Sequence, residues 1–238
     1  MKKIISQVIS MSLLASAVFA GDVATLVEGG WSSDGKIYVF GKYGKTDKNF
    51  QGWAELIEVD IEKNDYVNNG YFSIKPSAVT SGKNGREVYE SLEAKSFYST
   101  KPLNLKKTGP DQKLYICEDP LKKGSDVINF TDFLGSEIEN PNSFTVKLIT
   151  DVSGTGTSAK SSFYILIEKK DAEGNVIASQ KVGNPDIRRK GVTGYKIEQI
   201  LTDKDGKSMV FVVEKIMEDS TGINIRYMVE TCNLNENF

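Results

Sequence analysis

The sequence predicts a mainly β protein of antiparallel sheets, sandwich-like or partially propeller-like, with one short helix at about residues 85–98. Three observations carry that reading. A turn-plus-strand unit occurs twice, at 31–44 (WSSDGKIYVFGKYG) and at 202–213 (TDKDGKSMVFVV). Aligned on Asp-Gly-Lys, Asp34 matches Asp205, Gly35 matches Gly206 and Lys36 matches Lys207; Val39-Phe40 then falls on Val210-Phe211 without a gap. Runs rich in β-branched and aromatic residues recur between clusters of Gly, Asn and Asp, the pattern of strands and turns. Only around residue 84 does a helix start signal precede apolar residues at helical spacing.

The first twenty residues read as a signal peptide. Lys2 and Lys3 precede an apolar run from 4 to 19, and Val18-Phe19-Ala20 offers a small-x-small cleavage site before Gly21. Ser6, Gln7, Ser10 and Ser12 interrupt that run, which is short for a membrane anchor. No later run is long enough to span a bilayer. Residues 21–238 read as a single β-rich domain, periplasmic or secreted, with enough chain for a sizeable core.

Along that stretch, Leu26-Val27 starts a strand ahead of the first turn. In Ser32-Ser33-Asp34-Gly35 the glycine supplies a positive φ, and the aspartate can cap the turn through its side chain. Residues 37–42 are strand. Residues 53–62 set Leu56, Val59 and Ile61 against Glu55, Glu58, Asp60 and Glu62, which predicts one wet face. Asn84-Gly85-Arg86-Glu87 has the spacing of a capping box; Val88, Tyr89, Leu92 and Ser96 or Phe97 follow, and Pro102 ends the helix. Short strands are predicted at 113–117, 127–130 and 144–150. Residues 162–169 and 175–182 flank the turn 171–174 as a hairpin. Residues 195–201 and 208–214 flank the second Asp-Gly-Lys turn, and 224–232 form the last strand. Residues 233–238 are predicted to fray.

Composition removes several function classes. Thirty basic residues against 32 acidic ones give a formal charge of −2, which provides no electrostatic footprint for nucleic acid or an anionic membrane. The chain has no histidine. Ser-His-Asp and Cys-His nucleophilic sites, His-ligated metals and His-based pH switching are therefore absent. The two cysteines, Cys117 and Cys232, are too few for a structural zinc site. In an oxidising compartment they could pair and join the middle of the chain to its last strand; the alternative is two separate buried thiols.

The WSSDGKIYVF segment, with LIEVDI after a polar loop, resembles the repeat of propeller proteins that carry a W-S-P-D-G-K-x-I-A-F signature, although Ser33 stands where that signature has proline. The longer GWSSDGKIYVFGKYG near a signal peptide resembles the start of a family of predicted secreted bacterial proteins of unknown function. Arg189-Lys190-Gly191 and Gly194-Tyr195-Lys196-Ile197 match that family's later basic-glycine turn and G-Y-x-I pattern. The resemblance is weak from 73 to 139, and it implies no catalytic residues.

Candidate sites are weighed against plainer roles. Residues 154–158 (GTGTS) lack the Gly-Lys-Ser/Thr ending of a phosphate loop and precede a strand, so they read as a hairpin loop. Asp203 to Gly206 resembles part of a calcium loop, but Leu201 and Val212 fall where acidic ligands are needed. No acidic pair is singled out for glycoside chemistry. Trp31 and Phe40 are expected in the core, whereas Tyr43 and Trp53 could stack on a sugar ring or peptide. Arg188, Arg189 and Lys190 either grip an anionic partner group or form a solvated connector. No metal or cofactor is implied. These features favour a non-catalytic binding or scaffolding module of the cell envelope, with a protein, peptide or glycan partner. The alternatives are a carboxylate-based hydrolase of envelope polymers and a carrier of a small apolar ligand.

Overall fold

The apolar runs behind the two Asp-Gly-Lys turns are strands covered on both faces. The computed structural model describes residues 21–118, 127–132, 139–235 and 238; the stretch read as a signal peptide lies outside them. Among the described residues there are three antiparallel sheets. The first is a meander of β1 (Thr25–Trp31), β2 (Ile37–Lys45), β3 (Gly52–Asp60) and β4 (Asp65–Ile74). The helix α1 (Gly85–Thr100) follows. The second sheet holds β6 (Ile128–Thr131), β7 (Ser143–Ser153), β8 (Lys160–Lys170), β9 (Val176–Val182) and β10 (Arg189–Lys190). The third runs in the order β13 (Gly222–Asn233), β12 (Ser208–Asp219), β11 (Val192–Thr202) and β5 (Lys113–Ile116).

Three apolar cores fix the order of the layers. Val39, Ala54 and Leu56 of the first sheet pack on Val88, Tyr89 and Leu92 of α1. The opposite face of that sheet, with Tyr38, Phe40, Ile57 and Val59, packs on Val210, Val212 and Val229 of the third. The far side of the third sheet, with Met209, Phe211 and Val213, packs on Val146, Phe163, Ile165 and Ile167 of the second. The stack is therefore α1, first sheet, third sheet, second sheet, sandwich-like throughout. Side chains alternate across a strand. In both repeat units the phenylalanine, Phe40 or Phe211, points away from the helix, and the valine, Val39 or Val210, points towards it. The unit thus recurs in two adjacent layers with the same facing.

The helix starts where its capping box places it. Asn84 Oδ1 accepts the Glu87 N–H at 2.9 Å, and Glu87 Oε2 accepts the Asn84 N–H at 2.8 Å. Val88, Tyr89, Leu92 and Ser96 are buried, while Phe97 faces solvent.

Three expectations change. The wet face predicted for residues 53–62 does not exist: β3 is covered by α1 on one side and the third sheet on the other. Its carboxylates are held in place, Glu58 by the Ser99 hydroxyl at 2.7 Å and Glu55 by Lys42 at 2.9 Å. Cys117 and Cys232 are buried thiols, with no bond joining them. Cys117 follows β5 and Cys232 lies on β13, the two outer strands of one sheet, with β11 and β12 between. Three strand spacings come to about 14 Å, twice the Cα separation a disulfide tolerates, about 7 Å. Burial also pushes the Cys232 thiol up to about 12. Beyond β13 the described residues predicted to fray are tied down: the Leu234 N–H donates to the Lys207 carbonyl at 2.8 Å, and the Phe238 ring stacks on Phe144.

The exposed side of β13 is closed by the start of the described chain. Val23 bridges Ile225 in parallel, and Asp22 Oδ2 accepts from Arg226 at 2.6 Å. Lys42 Nζ donates to the Tyr227 carbonyl, and Asn64 Oδ1 accepts the Thr231 N–H. An edge strand treated this way cannot recruit a foreign strand.

Candidate functional site

Stacking two copies of one hairpin in adjacent layers brings their turns to the same end of the molecule. There they face a cleft of about 1280 Å³. The first turn supplies Asp34, Gly35 and Lys36, and the second supplies Asp203 to Ser208. The β3–β4 turn adds Asp60 and Lys63, and the second sheet adds Phe144 and Lys169. All three sheets thus contribute walls.

The two turns share one backbone plan. Gly35 N–H donates to the Ser32 carbonyl at 2.9 Å, and Gly206 N–H to the Asp203 carbonyl at 3.2 Å. The glycines have φ of 72° and 68°, a region open to glycine and costly for most side chains. Their side-chain caps differ. In the first turn Ser32 Oγ accepts the Ile37 N–H and Asp34 Oδ1 accepts the Lys36 N–H. In the second, Asp203 Oδ1 accepts both equivalent donors, Lys207 and Ser208, at 2.7 and 3.0 Å. Asp205, the sequence counterpart of Asp34, is not the capping residue.

Most of the cleft's carboxylates are engaged. The Ser32 hydroxyl and then the Lys36 N–H hold the Asp34 carboxyl below the usual range. Lys63 does the same for Asp60, at 2.7 Å. Asp132 pairs with Lys169 at 2.9 Å, and that ammonium also lies over the Phe144 ring. By contrast, the exposed ammonium groups of Lys36 and Lys207 make no hydrogen bond or ion pair among the described residues. They occupy equivalent places in the two units.

The residues first singled out for a partner surface lie elsewhere. Trp53 is buried, not exposed: its indole N–H donates to Asp22 Oδ2 at 3.0 Å, and the Arg226 guanidinium lies 4.3 Å from its ring. Tyr43 is half-buried against Tyr89 of α1. Arg188 pairs with Asp151 at 2.6 Å; Arg189 lies over the Phe163 ring and 3.5 Å from Glu230; Lys190 is exposed in β10. None of the five lines the cleft. The turn residues Asp34, Gly35, Asp205 and Gly206, singled out only as structural, all line it. The repeat itself was the signal for the site. Phe144, Lys169 and Lys63 gave no local signal, since the topology brings them there.

Two glutamates come close together, on the first-sheet side of the third sheet. Lys196 Nζ lies 3.2 Å from both Glu198 and Glu214, so an ammonium occupies the space between the carboxylates. No group of three or more potential metal ligands occurs among the described residues. No helix there is long and apolar enough to cross a membrane.

Residues 39–233 match the model of a protein family described as predicted secreted protein (DUF2259). The match begins after the first Asp-Gly-Lys turn and runs through the stretch 73–139, where the motif resemblance was weak. No curated protein and no solved structure matches the chain.

Proposed function

Since the chain belongs to this family of predicted secreted proteins, we propose that it is a non-catalytic binding module. It holds an acidic segment of a partner protein in the cleft between its two Asp-Gly-Lys turns, in the periplasm or outside the cell, after cleavage behind Ala20. The observation that carries this reading is the pair Lys36 and Lys207. The repeat places them equivalently, the cleft joins them, and neither forms an ion pair among the described residues, while Asp34, Asp60 and Asp203 are committed to holding turns. Cationic rims of this kind steer and select acidic partners. A glycan would call for presented aromatic faces; in the cleft Trp31 and Phe144 are buried, and Phe238 is half-buried with its ring stacked on Phe144. A hydrolase would call for two acids facing substrate, and the pair Glu198 and Glu214 is clamped by Lys196.

Fluorescence anisotropy with a fluorescein-labelled, glutamate-rich peptide tests the proposal. The wild type should bind it in a salt-dependent manner. The Lys36→Glu/Lys207→Glu variant should lose at least tenfold in affinity with an unchanged circular dichroism spectrum. Equal binding by the variant, or no binding by the wild type, overturns the reading. Hydrolysis of an envelope polymer that disappears in Glu214→Gln would overturn the non-catalytic part.

A further inference from the structure

A second concentration of charge lies away from the cleft, where the first sheet wraps the β13 edge of the third. Lys42 on β2, Lys215 on β12, Arg226 on β13 and Arg189 on β10 converge there. Three of these cations have an acid of their own. Lys42 pairs with Glu55 at 2.9 Å, Arg226 with Asp22 at 2.6 Å and Arg189 with Glu230 at 3.5 Å. Lys215 is the fourth. It is partly buried and makes no hydrogen bond or ion pair among the described residues. Its register partner across the β12–β13 ladder is Arg226, so two like charges stand directly opposite each other. That arrangement is unfavourable on a sheet unless a counter-charge offsets it.

We propose that Lys215 is the direct ligand of a binding site for a small oxyanion, a carboxylate or a phosphate, with Arg226, Lys42 and Arg189 supplying the surrounding positive field. Lys42, Arg226 and Arg189 are ion-paired with Glu55, Asp22 and Glu230, and Lys215, which feels Glu55 without forming an ion pair with it, is the fourth cation. Burial, followed by the charges of Lys42 and Arg189, pushes the Lys215 ammonium down to about 8, Glu55 opposing and Arg226 adding a smaller push. A bound anion would reverse that push, because an opposite charge at contact distance favours the charged form. Tyr66 and Tyr71, stacked with ring centroids 6.1 Å apart, are the half-exposed groups beside Glu55 at the solvent side of the cluster.

The test uses thermal unfolding and amine labelling of the full chain at fixed ionic strength, with sodium chloride replaced stepwise by phosphate or by acetate. In the wild type one of the two anions should raise Tm beyond the chloride baseline, and that anion identifies the ligand class. It should also slow acylation of Lys215 at pH 8 at least fivefold, read by peptide mass spectrometry. Lys215→Met should lose the Tm response and unfold no earlier than the wild type in chloride, since it removes a repulsion. Lys215→Arg, which keeps the charge, should retain the response. If neither anion alters wild-type Tm or labelling, or if Lys215→Met responds as the wild type does, the site does not exist. Loss of peptide binding in the Lys36→Glu/Lys207→Glu variant leaves this anion response intact, so the two proposals fail separately.

Discussion

The first Asp-Gly-Lys hairpin spreads its capping over two side chains, and the second concentrates it in one. Ser32 and Asp34 each accept a single backbone N–H, whereas Asp203 accepts two through one oxygen. The backbone bonds, the glycine conformations and the direction of the phenylalanine are the same in both. What repeats is thus the path of the chain and its place in a stack of layers. The capping side chains are replaceable, because any short acceptor that reaches the same N–H groups serves.

The sharpest way to probe that equivalence is to empty the cores the two units feed. Phe40 and Phe211 are each about 1% exposed or less. Phe40→Ala and Phe211→Ala should each cost about 3–5 kcal/mol, measured by urea denaturation. A small loss at only one of them would show that the two strands are not equivalent. Next come the turns. Gly35→Val and Gly206→Val should each lose about 1–2 kcal/mol, the cost of a positive φ for a side chain. A Cβ at Gly35 meets nothing within 4 Å, so the penalty there is purely conformational, and Gly35→Asn should recover most of it. The difference in capping should then appear as a smaller asymmetry. Asp203→Ala, which orphans two N–H groups, should cost about 1–2 kcal/mol and Asp34→Ala about half that. Equal losses would contradict the division of labour.

The smallest effect is a titration. The carboxyl of Asp34 is held below its ordinary range when folded. The stability it lends is present above the unfolded value of about 3.9 and is lost as pH falls through the lower, folded value. Because the group is solvent-exposed, only a few tenths of a kcal/mol is expected. An NMR titration of the Asp34 carboxyl should show a midpoint below that of an unstructured aspartate; a midpoint at or above it would remove the Ser32 hydroxyl as a cause.

Much of this fold is legible from one dimension. The run MVFVV at 209–213 reads as a strand because both of its faces are apolar, and the capping box fixes the start of α1 to the residue. The strand β4, DYVNNGYFSI, escapes such reading because most of its residues are exposed and its apolar residues do not alternate cleanly; pairing with β3 and the packing of Phe72 and Ile74 under α1 order it. Trp53 looked like a surface residue beside a glycine. It is buried because Asp22 and Arg226, from the two ends of the described chain, close over it. The cleft was visible as two turns but not as one place. The cluster around Lys215 had no sequence signal, since its four cations come from four strands.

The bridge between Val23 and Ile225, with Arg226 closing on Asp22, also bears on the order in which this molecule can be assembled. The first four strands are neighbours in sequence and can zip together early. Their lower face, with Tyr38, Phe40 and Ile57, finds its cover only when β12 and β13 arrive from the far end. Contacts so distant in sequence close slowly. Until they do, an aromatic surface stands open to solvent, to proteases and to other copies of the same chain. A molecule built this way gains most from a chaperone during the interval between its first sheet and its last strand.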